Sequence, residues 1–423
     1  MKQSIALALL AVAAYGQRPA PHQLDLDSFE HVWTTIRDKH WEKKPGGLDW
    51  QAIHDEFRPR VEKSKNIAET RALLREMLGR LHQTHFGIIQ GDVYEALGPS
   101  DPEEGGDGTP GIDLRILNGQ ANGQAIVTRV DPASPAEQSG IKPGWIVISV
   151  KGLPFAPAIK ELESDSTLIE LTRTRALLSR LSGPVGGKIQ ATFQDAAGAT
   201  VSRELALSEP RGQSAVFGNL PTTHVWFESK TIDGAGYIAF NEFLDLPRVM
   251  TAFGAAVNAC KTCTGLIIDL RGNPGGIGGM AVGMAGFLVD KPDQRLGSMY
   301  SRDTTLNFVI NPRPQTFPGP VAILLDALSA STSEIFAGGL KDLGRARIFG
   351  TRSAAAALPS TIERLPNGDG FQYAIANYIS EGGKPLEGIG VQPDEEVKLT
   401  REALLAGRDP VIDAALRWIK SRP

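Results

Sequence analysis

Hydrophobic positions along this chain of 423 residues follow first a helical period and later a strand period. Over residues 24–81 the apolar side chains form two stripes at helical spacing. Phe29, Val32, Trp33 and Ile36 mark one, and Ala72, Leu73, Met77 and Leu81 mark the other. Pro45-Gly46-Gly47 breaks the run, and helix starts are expected at Asp27-Ser28 and at Ala68-Glu69-Thr70. After Leu81-His82-Gln83-Thr84-His85-Phe86-Gly87-Ile88 the pattern turns strand-like. Strands are expected at Ile112–Leu117, 125–130 and 144–150, and the long charged segment 158–182 is expected to be helical. From Gly234 onward short apolar runs alternate with helical patterns. The runs at 237–240, 265–270, Val321–Leu325, Ala346–Gly350 and 371–378 read as strands. Leu246–Ala259, 277–289, 334–343 and 401–421 read as helices. That alternation predicts an α/β domain. Two connecting stretches, 98–111 and 214–225, divide the chain into a helical unit at 17–95, a β-rich unit at 105–208 and the α/β unit at 214–423. The fold class expected is therefore mixed α/β (α+β) and multidomain.

Composition narrows the function classes. Apolar residues make up 41% of the chain, enough for sizeable cores. The net charge of -4, from 44 basic and 48 acidic residues, gives no electrostatic case for nucleic acid or a polyanionic surface. Met1-Lys2, an apolar run at 5–14 and Ala14-Tyr15-Gly16 form a secretory signal peptide over residues 1–16, with processing expected before Gln17. No Cys follows that site, which excludes a lipid anchor there, and no later stretch is long and apolar enough to span a bilayer. The mature protein is expected to be soluble and exported, periplasmic or extracellular. Cys260 and Cys263, the only cysteines, are expected to form a small disulfide loop or to remain quiet thiols. No nearby His completes a metal site, and no cofactor is expected.

Chemistry concentrates around two loops. Ser329-Ala330-Ser331-Thr332-Ser333-Glu334 separates the Val321–Leu325 strand from the helix that follows. A serine there sits near the positive end of a helix dipole, where an anionic intermediate is favoured. The same spacing, Ser331 to Glu334, also fits a capping box, in which the serine only caps the helix. Upstream, Arg271-Gly272-Asn273-Pro274-Gly275-Gly276 follows a strand and precedes a helix, an anion-binding geometry. Read as a dinucleotide fingerprint, Gly276-x-Gly278-x-x-Ala281 is weak, because the loop is too long. An oxyanion hole is its other use.

Gly111-Ile112-Asp113-Leu114, 133–140 and Lys142-Pro143-Gly144-Trp145-Ile146-Val147 resemble a PDZ domain over residues 105–208. That resemblance implies capture of extended chain ends by strand addition, with Gly111, Ile112, Asp113 and Leu114 as substrate-binding residues. Asp269-Leu270-Arg271-Gly272-Asn273-Pro274-Gly275-Gly276, the Ser329–Ile335 stretch, Lys341-Asp342-x-Gly344-Arg345-Ala346 and Glu387-Gly388-x-Gly390-Val391-x-Pro393-Asp394 follow in order. With the PDZ-like module they resemble the carboxyl-terminal processing (tail-specific) and tricorn-core serine peptidases across essentially the whole mature chain. The resemblance implies a ClpP/crotonase-like catalytic domain and protein or peptide substrates. It also implies Ser331 as nucleophile and an oxyanion hole from Gly275 or Gly276 with the N–H of Thr332. The tail-specific branch activates its serine with a lysine, and Ala356 stands in that place here. The tricorn branch uses a His after a hydroxyl residue, together with a glutamate. Thr84-His85 and Glu387 match it, which implies a Ser331, His85, Thr84 and Glu387 site closer to the tricorn branch. Retinoid-binding relatives leave a second reading open, a catalytically inactive peptide- or hydrophobic-ligand-binding protein on the same scaffold.

Overall fold

A computed structural model describes residues 21–91, 107–117, 123–156, 167–216 and 222–422. The signal-peptide reading, residues 17–20, most of the 98–111 linker and part of the 158–182 segment lie outside these residues.

Three helices open the fold: α1 (Pro21–Lys39), α2 (Trp50–Glu62) and α3 (Ile67–Gly79). The Asp49 carboxylate accepts from the N–H groups of Gln51 and Ala52 to start α2, and the Asn66 side chain accepts from Glu69 N–H to start α3. The start expected at Asp27-Ser28 is displaced. There α1 is already helical, and the Ser28 hydroxyl donates back to the Leu24 carbonyl at 2.7 Å. The helices bury Phe29, Val32, Ile36, Phe57, Val61, Leu74 and Met77, and this core continues onto Phe371 and Tyr373. Those two residues lie on the strand Gly370–Ala374, which pairs antiparallel with Gly87–Ile89 just after the helices. The helical unit is thus sewn onto the third unit. Arg71 and the fully buried Asp369 add an ion pair at 2.7 Å.

The middle unit is an antiparallel sheet of β1 (Ile112–Leu117), β2 (Gln124–Val130), β3 (Ile146–Val150), β4 (Lys188–Gln194) and β5 (Thr200–Ala206), in that order. It closes over Leu114, Val127, Val147, Phe155, Phe193 and Leu205. Helix α4 (Thr167–Ser179) packs against β1, which is an edge strand.

The third unit is built on a sheet of order β6 (Phe227–Ile232), β7 (Ala235–Phe240), β8 (Leu266–Asp269), β9 (Val321–Leu325), β10 (Ala346–Gly350) and β11 (Glu395–Glu396). β6 and β7 pair antiparallel, and the remaining neighbours are parallel. β8 and β9 are buried on both faces, which is why they read as continuous apolar runs without alternation. One face packs Ile268 and Ile323 against α5 (Leu246–Ala259), α6 (Gly278–Ala285) and α7 (Thr332–Asp342). The opposite face packs Ile267, Ala322, Leu324 and Phe349 against Ala414, Ala415 and Ile419 of α8 (Pro410–Lys420). Three expectations are refined. The 371–378 strand is two, Gly370–Ala374 and Asn377–Ser380, in different sheets. The 401–421 helix divides into Arg401–Leu405 and α8, because Asp409 caps a new start at Pro410. The 214–225 link contains a ribbon, Gln213–Ala215 with Thr223–Val225. Cys260 and Cys263 form a disulfide (S–S 1.99 Å) at the C-terminus of α5.

Candidate active site

The site is assembled at the C-terminal ends of β8 and β9, where loops from two parallel strands meet. After β9 the Asp326 carboxylate fixes a turn, accepting from Leu328 N–H at 3.0 Å and from Gly272 N–H at 2.9 Å. The Ser329 hydroxyl donates to the Leu270 carbonyl at 2.8 Å, and Ala330 N–H donates to the Asn273 carbonyl at 3.0 Å. The two loops are therefore one hydrogen-bonded body.

Ser331 stands at the N-cap of α7 with φ at 54°. A non-glycine residue in the left-handed region costs about 1–3 kcal/mol and persists only where its surroundings hold it. Here Ser331 N–H donates to the Ala356 carbonyl at 2.8 Å and to the Glu334 carboxylate at 3.0 Å, and Glu334 N–H donates back to the Ser331 carbonyl at 2.8 Å. The Glu334 carboxylate engages the backbone N–H of Ser331, the glutamate half of a capping box.

The glycine loop wraps the same point. A Cβ on Gly275 would lie 2.7 Å from Thr332 N, 2.8 Å from the Ala330 carbonyl oxygen and 2.8 Å from Ser331 Cβ. Gly275 N–H is not free, because it donates to Asn273 Oδ1 at 2.9 Å. Among the described residues neither Gly276 N–H nor Thr332 N–H makes a hydrogen bond, the latter opening α7 without an intrahelical acceptor. Gly275 contributes close approach instead of a hydrogen bond.

Thr84, His85 and Glu387 are brought together although some 300 residues separate the last from the others. The Thr84 hydroxyl is 2.7 Å from His85 Nδ1 and donates to Glu387 Oε2 at 2.9 Å. Thr84 N–H donates to Glu387 Oε1 at 2.7 Å, and Ala357 N–H donates to Oε2 at 3.1 Å. The segment at 355–357 thus links the two halves of the site, holding Ser331 through the Ala356 carbonyl and Glu387 through Ala357 N–H. Among the described residues no hydrogen bond joins His85 to Ser331. Burial, and then the charge of Arg175 on α4, lower the His85 pKa to about 4. Burial pushes the Glu387 carboxyl up, against the opposing pull of its bonds from Thr84 and Ala357.

Ala356, at the lysine position of the tail-specific pattern, is buried with Leu171, Ala327, Leu328, Ala330 and Ala354. His31, His40 and His54 are engaged elsewhere, with Glu363, Gln83 and Glu30 respectively. A cavity of about 720 Å³ lies beside this site, lined by Arg115, Glu170, Asp326, Ala327 and Arg352 among others, but by none of Ser331, His85 or Glu387.

Gly111, Ile112, Asp113 and Leu114 sit at the start of the edge strand β1. Gly111 has φ at 79°, and its N–H donates to the Thr109 hydroxyl at 3.2 Å. Ile112 and Leu114 point into the core of the middle unit, and Asp113 pairs with Arg115 at 2.7 Å. Among the described residues no hydrogen bond or ion pair joins these four to Ser331. Their link to it is Arg115, whose guanidinium also pairs with Asp326 at 2.7 Å. Sequence reasoning missed Asn273 as the support of Gly275, Glu334 as more than a cap, and Arg175. The first two stood inside quoted motifs, whereas nothing in the sequence placed Arg175 near His85.

The model for Peptidase family S41 matches residues 234–397, which contain Ser331, both loop glycines and Glu387. The chain carries the serine peptidase domain of family S41. A Tricorn protease C1 domain matches residues 22–79, ending just before Thr84-His85. This peptidase is 23% identical over 93% of its length to a carboxyl-terminal-processing protease of Picosynechococcus sp., of which 88% is covered. It is 26% identical over 89% of its length to the chloroplastic C-terminal processing peptidase of Tetradesmus obliquus, of which 77% is covered. In fold it is similar to the photosystem II D1 C-terminal processing protease, with a TM-score of 0.58 at 21% identity over 95% of this chain and 98% of that one. It is also similar to mature CPAF, with a TM-score of 0.62 at 14% identity over 95% of this chain and 97% of that one. No helix among the described residues is long and apolar enough to cross a membrane.

Proposed function

We propose that this S41 peptidase is an exported enzyme that hydrolyses peptide bonds of protein or peptide substrates with Ser331 as nucleophile and His85 as base. The observation that carries this reading is the chain of bonds from His85 through Thr84 to Glu387. The one Thr84 hydroxyl proton goes to Glu387, so the Thr84 oxygen accepts from His85 Nδ1–H. Nε2 is then the ring nitrogen with a free lone pair, the form a general base needs. His85 Nε2 takes the Ser331 proton as Oγ attacks the scissile carbonyl, and returns it to the leaving amine. Gly276 N–H and Thr332 N–H face the negative oxygen of the intermediate. Water then repeats the sequence on the acyl-enzyme. Active-site bonds commonly tighten only with substrate present, which accommodates the unjoined Ser331 and His85 of the free enzyme.

The unit at 105–208 takes the PDZ role in this reading. β1 offers an unpaired edge beside α4, where a chain end adds as a further strand. Export rests on the residue 1–16 pattern and is supported by the Cys260–Cys263 disulfide, a bond that persists in oxidising compartments. A fluorophosphonate probe tests the assignment. Wild type should label at Ser331, and Ser331→Ala and His85→Ala should each lose about a thousandfold or more in rate without adding in the double variant. Glu387→Gln should cost less, because Glu387 orients and does not transfer the proton. Folded His85→Ala with wild-type activity would sink the Ser-His assignment.

A further inference from the structure

Glu334 is fully buried and has no part in the chemistry described so far. Both of its carboxylate oxygens are saturated by donors from elements that must stay in register. Oε2 accepts from Ser331 N–H at 3.0 Å and from Ala356 N–H at 3.0 Å. Oε1 accepts from Ala355 N–H at 3.0 Å and from the Ser353 hydroxyl at 2.6 Å. Ser353 in turn accepts from Val391 N–H at 2.7 Å, on the loop that carries Glu387. Two of the four donors, Ser331 and Ala355, hold left-handed backbone at φ 54° and 61°. One carboxylate therefore fixes the strained nucleophile, the 353–357 segment behind it and, through Ser353, the Glu387 loop.

Resting on Ser331 as nucleophile, we infer that Glu334 is a positioning residue of the peptidase, whose carboxylate form holds the nucleophile and the 353–357 segment in reactive register. With two donors on each oxygen, no side of the group has room for a proton facing outward. Protonation would set an O–H against an N–H donor and break that bond, or would reverse the Ser353 bond and cost the Ser353 hydroxyl proton its acceptor. Burial nevertheless pushes the carboxyl up to about 7, against the downward pull of the bonds from Ser353, Ser331, Ala356 and Ala355. The partners of Glu334 are all uncharged. The ionisable groups around it are Glu387, held on Ala357 N–H, and His85, held to Glu387 through Thr84. Arg352 adjoins Ser353 in the chain and lines the neighbouring cavity. Because burial and Arg175 hold the His85 pKa down at about 4 while burial pushes the Glu334 carboxyl up to about 7, an acid limb near neutrality belongs to Glu334 and not to the base.

The test is the pH dependence of fluorophosphonate labelling on the full chain, resolved into maximal rate and half-saturating probe concentration. Glu334→Gln should lower the maximal rate by about 30-fold or more while leaving half-saturation within about threefold, and should abolish the acid limb near neutrality. Ser353→Ala removes the shortest of the four bonds, and with it the acceptor of Val391 N–H. It should stay folded and move that limb to higher pH, since the lost bond had favoured the charged form. A merely structural glutamate would lower the amount of folded enzyme without moving the limb in either variant. Glu334→Gln with a wild-type rate and profile, or Ser353→Ala with an unmoved limb, would overturn the role of Glu334. A wild type that does not label at Ser331 would overturn the nucleophile assignment itself, and with it any positioning role.

Discussion

At the scale of single residues the site is governed by which protons its buried groups keep. His85 is half-buried, with its imidazole next to the positive Arg175 and its pKa at about 4, well below the usual imidazole value. The sign of the effect is definite. Both burial and a neighbouring cation disfavour imidazolium, so the base form already dominates at mildly acidic pH. An unperturbed imidazole would have placed the change near about 6.5. Between those two values the unfolded chain binds the proton and the folded chain does not, so His85 makes stability rise with pH across that window. Replacing Arg175 with Gln removes the cation and should raise the His85 pKa towards its ordinary value. Proton NMR titration of the imidazole in the Ser331→Ala protein reads this directly. A resonance that already titrates near 6.5 in the parent, or does not move in Arg175→Gln, would contradict the placement of Arg175.

At the scale of elements the decisive unit is the pair of loops after β8 and β9. Gly275 has φ at 102° and its missing Cβ leaves space for Thr332 N and the Ala330 carbonyl. Gly275→Ala should therefore push the two loops apart and misplace the Thr332 donor, lowering fluorophosphonate labelling by about 10²-fold or more. The helical content by circular dichroism should stay within error, because the contact reaches only the first residue of α7. Wild-type labelling in Gly275→Ala would show that the loop tolerates a side chain. Elements that a local pattern determines were legible in the sequence. Leu246–Ala259 and Val321–Leu325 stand where the pattern put them, because a dominant apolar stripe and a fully buried strand each leave a strong local mark. The start of α1 was not, since Asp27-Ser28 has the composition of a cap while tertiary packing on Phe29 and Val32 carries the helix through it. Around the site, the motifs singled out Ser331, Thr84-His85 and Glu387, and Thr84 bonds to both His85 and Glu387. The occupied N–H of Gly275 is a bond within its own motif, to Asn273 two residues earlier, which a loop without regular period does not reveal, and the charge of Arg175 was illegible because it reaches His85 from a segment remote in sequence.

At the scale of the whole molecule three units contribute to the candidate site, and each reaches it through a different bond. The helical unit delivers Thr84 and His85 on the short stretch between α3 and the strand Gly87–Ile89. The third unit supplies Ser331 and Glu387. The middle unit connects through Arg115 on β1, which is nearly fully buried and donates to Asp326 at 2.7 Å, while Asp326 holds Gly272 N–H and Leu328 N–H. A strand added to the edge of β1 would therefore lie next to a residue wired into both catalytic loops. Removing one partner of a buried pair leaves the other charge short of a ligand, at a cost of about 3–5 kcal/mol. Arg115→Met keeps most of the apolar stem and removes that link. If the middle unit presents chain ends to the site, Arg115→Met should slow cleavage of an unfolded protein substrate several-fold more than cleavage of a short fluorogenic peptide. The comparison is made on enzyme that passes a thermal-melt check, so that lost stability does not pass for lost coupling. Equal loss on both substrates would mean that Arg115 serves only to hold the Asp326 turn, and that the 105–208 unit supports the fold without presenting substrate.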